Sequence, residues 1–360
     1  MKIIYTSICI FLMIIQSLSG QVTLSLDLEI NESDNLVFYQ LIDIATDSEN
    51  NIYVLDRKEK RIYLFDEKGK FIKTMGRGGA GPGEFSGPKS IYIDSKKLIY
   101  VLDSGNNRVE IFRPEGSFIK SIKIVNFPTG GSINIVVDKD RNLYISGFFR
   151  ESNSIFAKFA PDGKLLKYFP LQIKEYNGIQ LNGMQRTHVN QWLAGGSACL
   201  DNKEKIYFSY RWPHIIKVMT KEGNELLQLS GNTKLNWTPL IFRNDPTGLT
   251  FGSTTVTQKV FFINNCLLVN SISVVDWDGD NRKKVKAMDI VKNPSKYYKI
   301  NGRFTLLEFF TKEGKLMDVA EIDGKIKFLA SDKKGRIIGI KYDKENLQTI
   351  VRYKIEKEIK

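Results

Sequence analysis

Arg77, Trp192, Arg211, Trp212, His214, Trp237 and Arg243 are the side chains best suited to grip a polar ligand. Arg211, Trp212 and His214 fall together in "YRWPHII", and His188 lies close to Trp192. Aromatic faces beside arginines suit sugars, peptides or acidic partners. The ring covers apolar surface while the guanidinium anchors a polar group. A tryptophan can equally serve only to pin down a long loop.

Other chemistry is poorly supplied. His188 and His214 are the chain's two histidines, and no third ligand stands at a fixed spacing from them, so no tightly bound zinc is expected. "DWDGDN" places Asp276, Asp278 and Asp280 at the alternating oxygen positions of a calcium loop. Asn281 replaces the usual glycine and Ala287 the closing glutamate, so a bent, solvated acidic turn is the better reading and no cofactor is expected. No Ser/His/Asp or Cys/His constellation can be assembled. "GRGGAGPGEFSGP", Gly76 to Pro88, is no phosphate cradle: no Lys-Ser or Lys-Thr pair follows it, and the next element is a strand.

The elements that position these residues are repeats. "NIYVLDRKEKRIYLFDEKGKFIKTMG" from Asn51 and "LIYVLDSGNNRVEIFRPEGSFIKSIK" from Leu98 share one pattern of three strands, each preceded by a further strand with an Asp-led turn. Tyr53, Tyr100, Tyr144 and Tyr207 hold equivalent places in the second strand, 47, 44 and 63 residues apart. Such a unit is a four-stranded propeller blade with strands a to d. The glycine-rich stretch then crosses from the rim of blade one to the centre of blade two, with Phe85 filling the groove between blades. The expected fold is all-β: a six-bladed β-propeller of four-stranded antiparallel blades. Blade six runs out of chain before its fourth strand. "VTLSLDLEI", Val22 to Ile30, supplies it by pairing beside Thr349 to Ile355, which closes the ring and removes an exposed edge.

With those segments in place, "GRGGAGPGEFSGPKSIYID" and the strands after it resemble an NHL repeat, and the chain resembles the exported six-bladed propellers of that type in bacteria. Asp56 with Arg61 and Asp103 with Arg108 match that family's Asp and Arg positions and read as ion pairs bracing a blade. The resemblance also brings in enzymes. Some NHL-type lyases hold zinc with three histidines, a set this chain cannot copy. Gluconolactonase-like propellers hold a metal in the central channel with acidic and amide groups. The inner-strand starts here offer Lys89, Ser90, Asn134, Ser197 and Lys259, a poor cation cage.

Propeller connections divide by face. The a–b and c–d turns are uniformly short. The long connections, Leu171–Gly196, Gly231–Gln258 and Val275–Gly302, are all of the d–a or b–c kind and belong to the opposite face. Long ordered loops on one face mark it as the working face, the alternative being that they cover the ends of the last three blades. The expected function is non-enzymatic binding of a ligand or protein on that face. The alternative is a metal-dependent lyase or lactonase-type hydrolase at the channel mouth.

"MKIIYTSICIFLMIIQSLSG" has the short positive end, apolar run and small residues of a secretory signal, giving a signal peptide at 1–20 and a propeller at 21–360. Gln21 stands where a lipoprotein signal needs cysteine, so an exported chain, periplasmic or secreted and not lipid-anchored, is expected, with no later membrane span. Cys199 and Cys266 remain; one bond between them is possible and free thiols are the default. The formal charge of +13 would suggest nucleic acid in the cytoplasm, but export argues against that partner. A monomer that binds a glycan, a peptide or a cell-envelope protein is the expectation.

Overall fold

The computed structural model describes residues 22–33, 36–130, 133–169, 196–211, 215–230, 240–245, 248–253, 255–263, 265–273, 276–277, 298–299 and 304–356. The signal segment at 1–20 lies outside them. The described elements are all strands. No helix among them is long and apolar enough to cross a membrane.

Six four-stranded antiparallel sheets form the blades of a propeller. Blade one consists of Leu41–Thr46, Ile52–Asp56, Arg61–Phe65 and Phe71–Met75. Blades two, three and four begin at Pro88, Asn134 and Gly196 and repeat that order. Blade five joins Thr255–Ile263 and Cys266–Ser273 to Phe304–Phe310 and Leu316–Asp323. Its b–c connection carries a small ribbon, Asp276–Trp277 against Tyr298–Lys299. Before blade five, a hairpin of Leu240–Asp245 and Gly248–Ser253 stands within a segment that reads from sequence as plain loop.

Ring closure follows the expectation. Leu24–Ile30 pairs antiparallel with Gln348–Ile355, with Leu24 opposite Ile355 and Ile30 opposite Ile350. Asp27 fixes this strand in place: its carboxylate accepts from Arg352 Nε at 2.7 Å and Lys354 Nζ at 2.5 Å. Burial works against the charged form of Asp27, but its bonds and charge contacts with Lys354 and Arg352 prevail and hold the carboxyl below its ordinary value.

The core is six apolar clusters, one in each groove between neighbouring blades. Tyr53 and Leu55 of blade one meet Ile91 and Val101 of blade two. Val54 faces the other way and meets Ile338 and Ile340 of blade six. Successive side chains of a strand point to opposite faces, and each blade is covered on both. Strand b of blade one is therefore buried throughout, whereas strand d is mostly exposed.

Phe85 is fully buried in the groove between blades one and two, its ring 5.7 Å from Phe112. Gly76 permits this approach. Its φ is +77°, and a Cβ there would lie 2.3 Å from the Phe85 ring. Phe38 repeats the arrangement at the junction of blades six and one.

The ion pairs expected of Asp56 and Asp103 are replaced by backbone caps. Asp56, wholly buried, accepts from the N–H groups of Tyr39 at 2.8 Å and Gln40 at 3.1 Å. Asp103 accepts from Ser86 at 3.0 Å and Gly87 at 2.6 Å. Each aspartate thus ties the crossing segment to the strand b behind it. The arginines turn elsewhere: Arg61 pairs with Glu59 and Arg108 with Glu110. A buried carboxylate needs several donors, and the tight crossing offers otherwise unpaired backbone N–H groups.

Candidate functional site

One residue of each inner strand, matched from blade to blade through its register with strand b, carries a polar side chain. These are Asp43, Ser90, Asn134, Ser197, Lys259 and Lys327, opposite Leu55, Leu102, Ser146, Ser209, Asn270 and Ile340. They form a belt around the channel. Asp43 accepts from Ser90 Oγ at 2.7 Å, and Asn134 Nδ2 donates to Ser90 Oγ at 3.2 Å. Asn134 Oδ1 accepts from the Ala198 N–H at 3.3 Å, and Ser197 Oγ from the Val260 N–H at 3.3 Å. Asn270, in strand b of blade five, accepts from the Phe328 N–H at 3.0 Å, and Lys327 Nζ donates to the Ile42 carbonyl at 3.2 Å. Hydrogen bonds therefore step from blade to blade around the whole ring.

Above the belt, at the starts of the inner strands, lies a cavity of about 200 Å³. Arg57, Lys89, Lys259 and Lys327 line it against the single carboxylate of Asp43. Lys259 bonds Asp43 at 2.9 Å. Arg57 and Lys89 have no carboxylate partner among the described residues. Burial, and then the charge of Arg57, lowers the Lys89 ammonium. Burial pushes Lys327 down to about 8; Asp43 opposes this, while Lys259 and Arg211 add to it. Burial also lowers Arg211, whose carbonyl accepts from the Thr257 N–H at 3.1 Å beside the inner strand of blade five.

The opposite channel mouth has a larger cavity, about 520 Å³, lined by the a–b turns. Its turn aspartates are engaged locally, and Glu204 is held by Lys221 and the Lys139 N–H. Asp47 accepts from the Glu49 and Asn51 N–H groups, each at 2.9 Å, and from Tyr53 Oη at 3.2 Å. Asp94 and Asp138 hold Tyr100 and Tyr144 in the same way, each at 3.2 Å. The recurring Asp and Tyr are therefore scaffold.

Of the residues singled out from sequence, Arg211 stands beside the basic mouth. Arg77 does not line it: its side chain is 80% exposed and pairs with Glu84 at 2.8 Å. Arg243 is in the hairpin before blade five, opposite Thr250. Trp192, Trp212, His214 and Trp237 lie outside the described residues, as do Asp278 and Asp280 of the suggested calcium loop. Asp276 is in the small ribbon, opposite Lys299. Among the described residues no group of three or more His, Cys, Asp or Glu could hold a metal ion. Cys199 and Cys266 are free thiols.

Asp43, Arg57 and Lys327 escaped the sequence reading. One signal was available. In blades one to four, the belt residue stands four places before the aspartate that opens the a–b turn: Asp43 before Asp47, Ser90 before Asp94, Asn134 before Asp138 and Ser197 before Asp201.

The model of one protein family, Domain of unknown function (DUF4934), matches residues 28–313. No curated protein matches the chain. Among solved structures, a member of the DUF4221 family from Bacteroides vulgatus is 11% identical with a TM-score of 0.60, covering 94% of this chain and 99% of its own. A Bacteroides fragilis protein described as "Putative exported protein" is 14% identical with a TM-score of 0.54, covering 93% and 96%. A streptogramin B lyase is 11% identical with a TM-score of 0.51, covering 92% and 98%. At these identities the likeness is one of fold.

Proposed function

The chain belongs to the DUF4934 family, and we propose that it is an exported binding propeller that takes its ligand at the channel mouth on the face of the long connections. One observation carries this reading. At that mouth four cations face the single carboxylate of Asp43, whereas the opposite mouth sets five carboxylates, Asp47, Asp94, Asp138, Asp201 and Glu204, against Lys96, Lys139, Arg141 and Lys333. In an antiparallel blade the ends of strands b and d and the starts of strands c and a lie on one face, and that is the face this reading assigns to the long d–a and b–c connections. The resemblance to exported NHL-type propellers and the signal-like N-terminus support export.

A non-enzymatic role fits the groups present. Histidine pairs and acidic clusters are missing from the described mouth, and its excess positive charge repels a catalytic cation. The lyase neighbour favours an enzyme only through the shared fold.

A glycan and peptide array screened with the mature chain tests the proposal. Binding should weaken by more than about 2 kcal/mol in Arg211→Ala, since central arginine anchors typically contribute that much, and stay unchanged in Lys164→Ala on the short-turn face. Binding that answers to Lys164 instead contradicts the proposal. One equivalent of metal surviving dialysis would favour the enzyme reading.

A further inference from the structure

We propose that the cavity above the belt is an oxyanion site, built to receive one carboxylate or phosphate group on a small hydroxylated unit. The inference rests on the working face argued above and names the chemistry of its ligand.

Three observations converge. The cavity is lined by four cations and one carboxylate, and that carboxylate already bonds Lys259, Ser90 and the Ile91 N–H. The positive charge therefore lacks compensation. Half-buried cations without counter-ions are costly, and an anion that enters removes the cost while gaining charge-assisted hydrogen bonds.

The donors also come from separate elements around the opening. Arg57 comes from the b–c connection of blade one, and Lys89 and Lys327 from the inner strands of blades two and six. A group between them is held from several sides, as oxyanion recognition requires. The closed belt beneath fixes Asp43 and Lys327 through bonds to neighbouring blades, so Lys327 needs little reorganisation on binding.

The cavity of about 200 Å³ sets the scale. It holds roughly six waters' share of liquid volume, which suits one sugar-sized unit and excludes a folded partner. Its other lining groups, Asn134 and Ser197, are an amide and a hydroxyl, suited to ligand hydroxyls.

The test is calorimetric titration of the mature chain with D-glucuronate, D-glucose and inorganic phosphate at low salt. D-glucuronate or phosphate should bind at least about ten-fold tighter than D-glucose, and added sodium chloride should weaken that binding. Lys89→Met and Lys327→Met should each weaken it about ten-fold, while Lys96→Met on the opposite mouth should not. D-glucuronate binding tighter than phosphate makes the source a sugar acid, and the reverse order makes it free phosphate; both support the site. Equal binding of D-glucuronate and D-glucose, or no response to either anion, overturns it. A neutral array ligand lost in Arg211→Ala, with neither anion bound, would overturn the oxyanion site and leave the working face standing. Anion binding that survives Lys89→Met and Lys327→Met but fails in Lys96→Met would overturn both. Circular dichroism of each variant separates loss of binding from loss of fold.

Discussion

Asp43 of blade one and Lys259 of blade five meet at 2.9 Å, although blade six stands between their blades in the ring. The contact therefore reaches across the channel. Both side chains are largely withdrawn from water, at 5% and 13% exposure. Removing one partner leaves the other charge half-buried, which is more damaging than removing both. Asp43→Asn should cost about 3 kcal/mol and Asp43→Asn with Lys259→Met less than that, as read from urea unfolding. Equal losses in the single and double variants would show that the pair is uncoupled.

The aspartates at the ends of strand b should matter as caps. Asp56→Ala leaves the Tyr39 and Gln40 N–H groups without their acceptor and should cost about 1–3 kcal/mol. Arg61→Ala removes only a partly exposed pair with Glu59 and should cost less than about 1 kcal/mol. Comparable losses from both variants, in chemical denaturation, would restore the ion-pair reading.

Ring closure should weaken in acid. Asp27 titrates below its ordinary value of 3.8 in the fold, so its contribution is complete above that value and is lost as pH falls through the folded one. Asp27→Asn should lower Tm at pH 7, and the gap to the parent should close on acidification through that range. A gap constant from pH 7 to pH 3 would remove Asp27 from the closure.

Lys327 should behave in the opposite sense. Its folded pKa, about 8, lies below the ordinary 10.5. Below pH 8 the charged ammonium strains the fold, and stability rises as pH climbs from 8 to 10.5. Lys327→Met should therefore stabilise the free chain at pH 7, by at most about 3 kcal/mol, with the gain fading by pH 10.5. A destabilised variant at pH 7 would mean that Lys327 is held by contacts stronger than its burial cost.

The architecture was legible because it repeats within one sequence window. Tyr53, Tyr100 and Tyr144 follow their turn aspartates by the same spacing, and the unpaired strand at Val22–Ile30 marks where the ring closes. The candidate site was less legible. Asp43, Lys259 and Lys327 are far apart in the chain and come together only when the ring is formed. The a–b turns hid a related regularity. Asn50, Lys97, Arg141 and Glu204 all adopt positive φ at one turn position, which a reader expects of glycine. In the Asp47 turn, bonds from the carboxylate to the Glu49 and Asn51 N–H groups hold that geometry. Asp56 and Arg61 misled for a different reason. They do face each other in the register, yet the backbone of the crossing competes for the carboxylate and wins.

Lysine acetylation footprinting, read by mass spectrometry with and without D-glucuronate or phosphate, decides whether an anion sits among Arg57, Lys89 and Lys327. It reports every lysine at once in the unaltered chain. Lys89 and Lys327 should be protected by the anion, while Lys96 and Lys164, exposed on the short-turn face, should react as before. Protection at Lys96 or Lys164 with none at Lys89 and Lys327 would contradict the account.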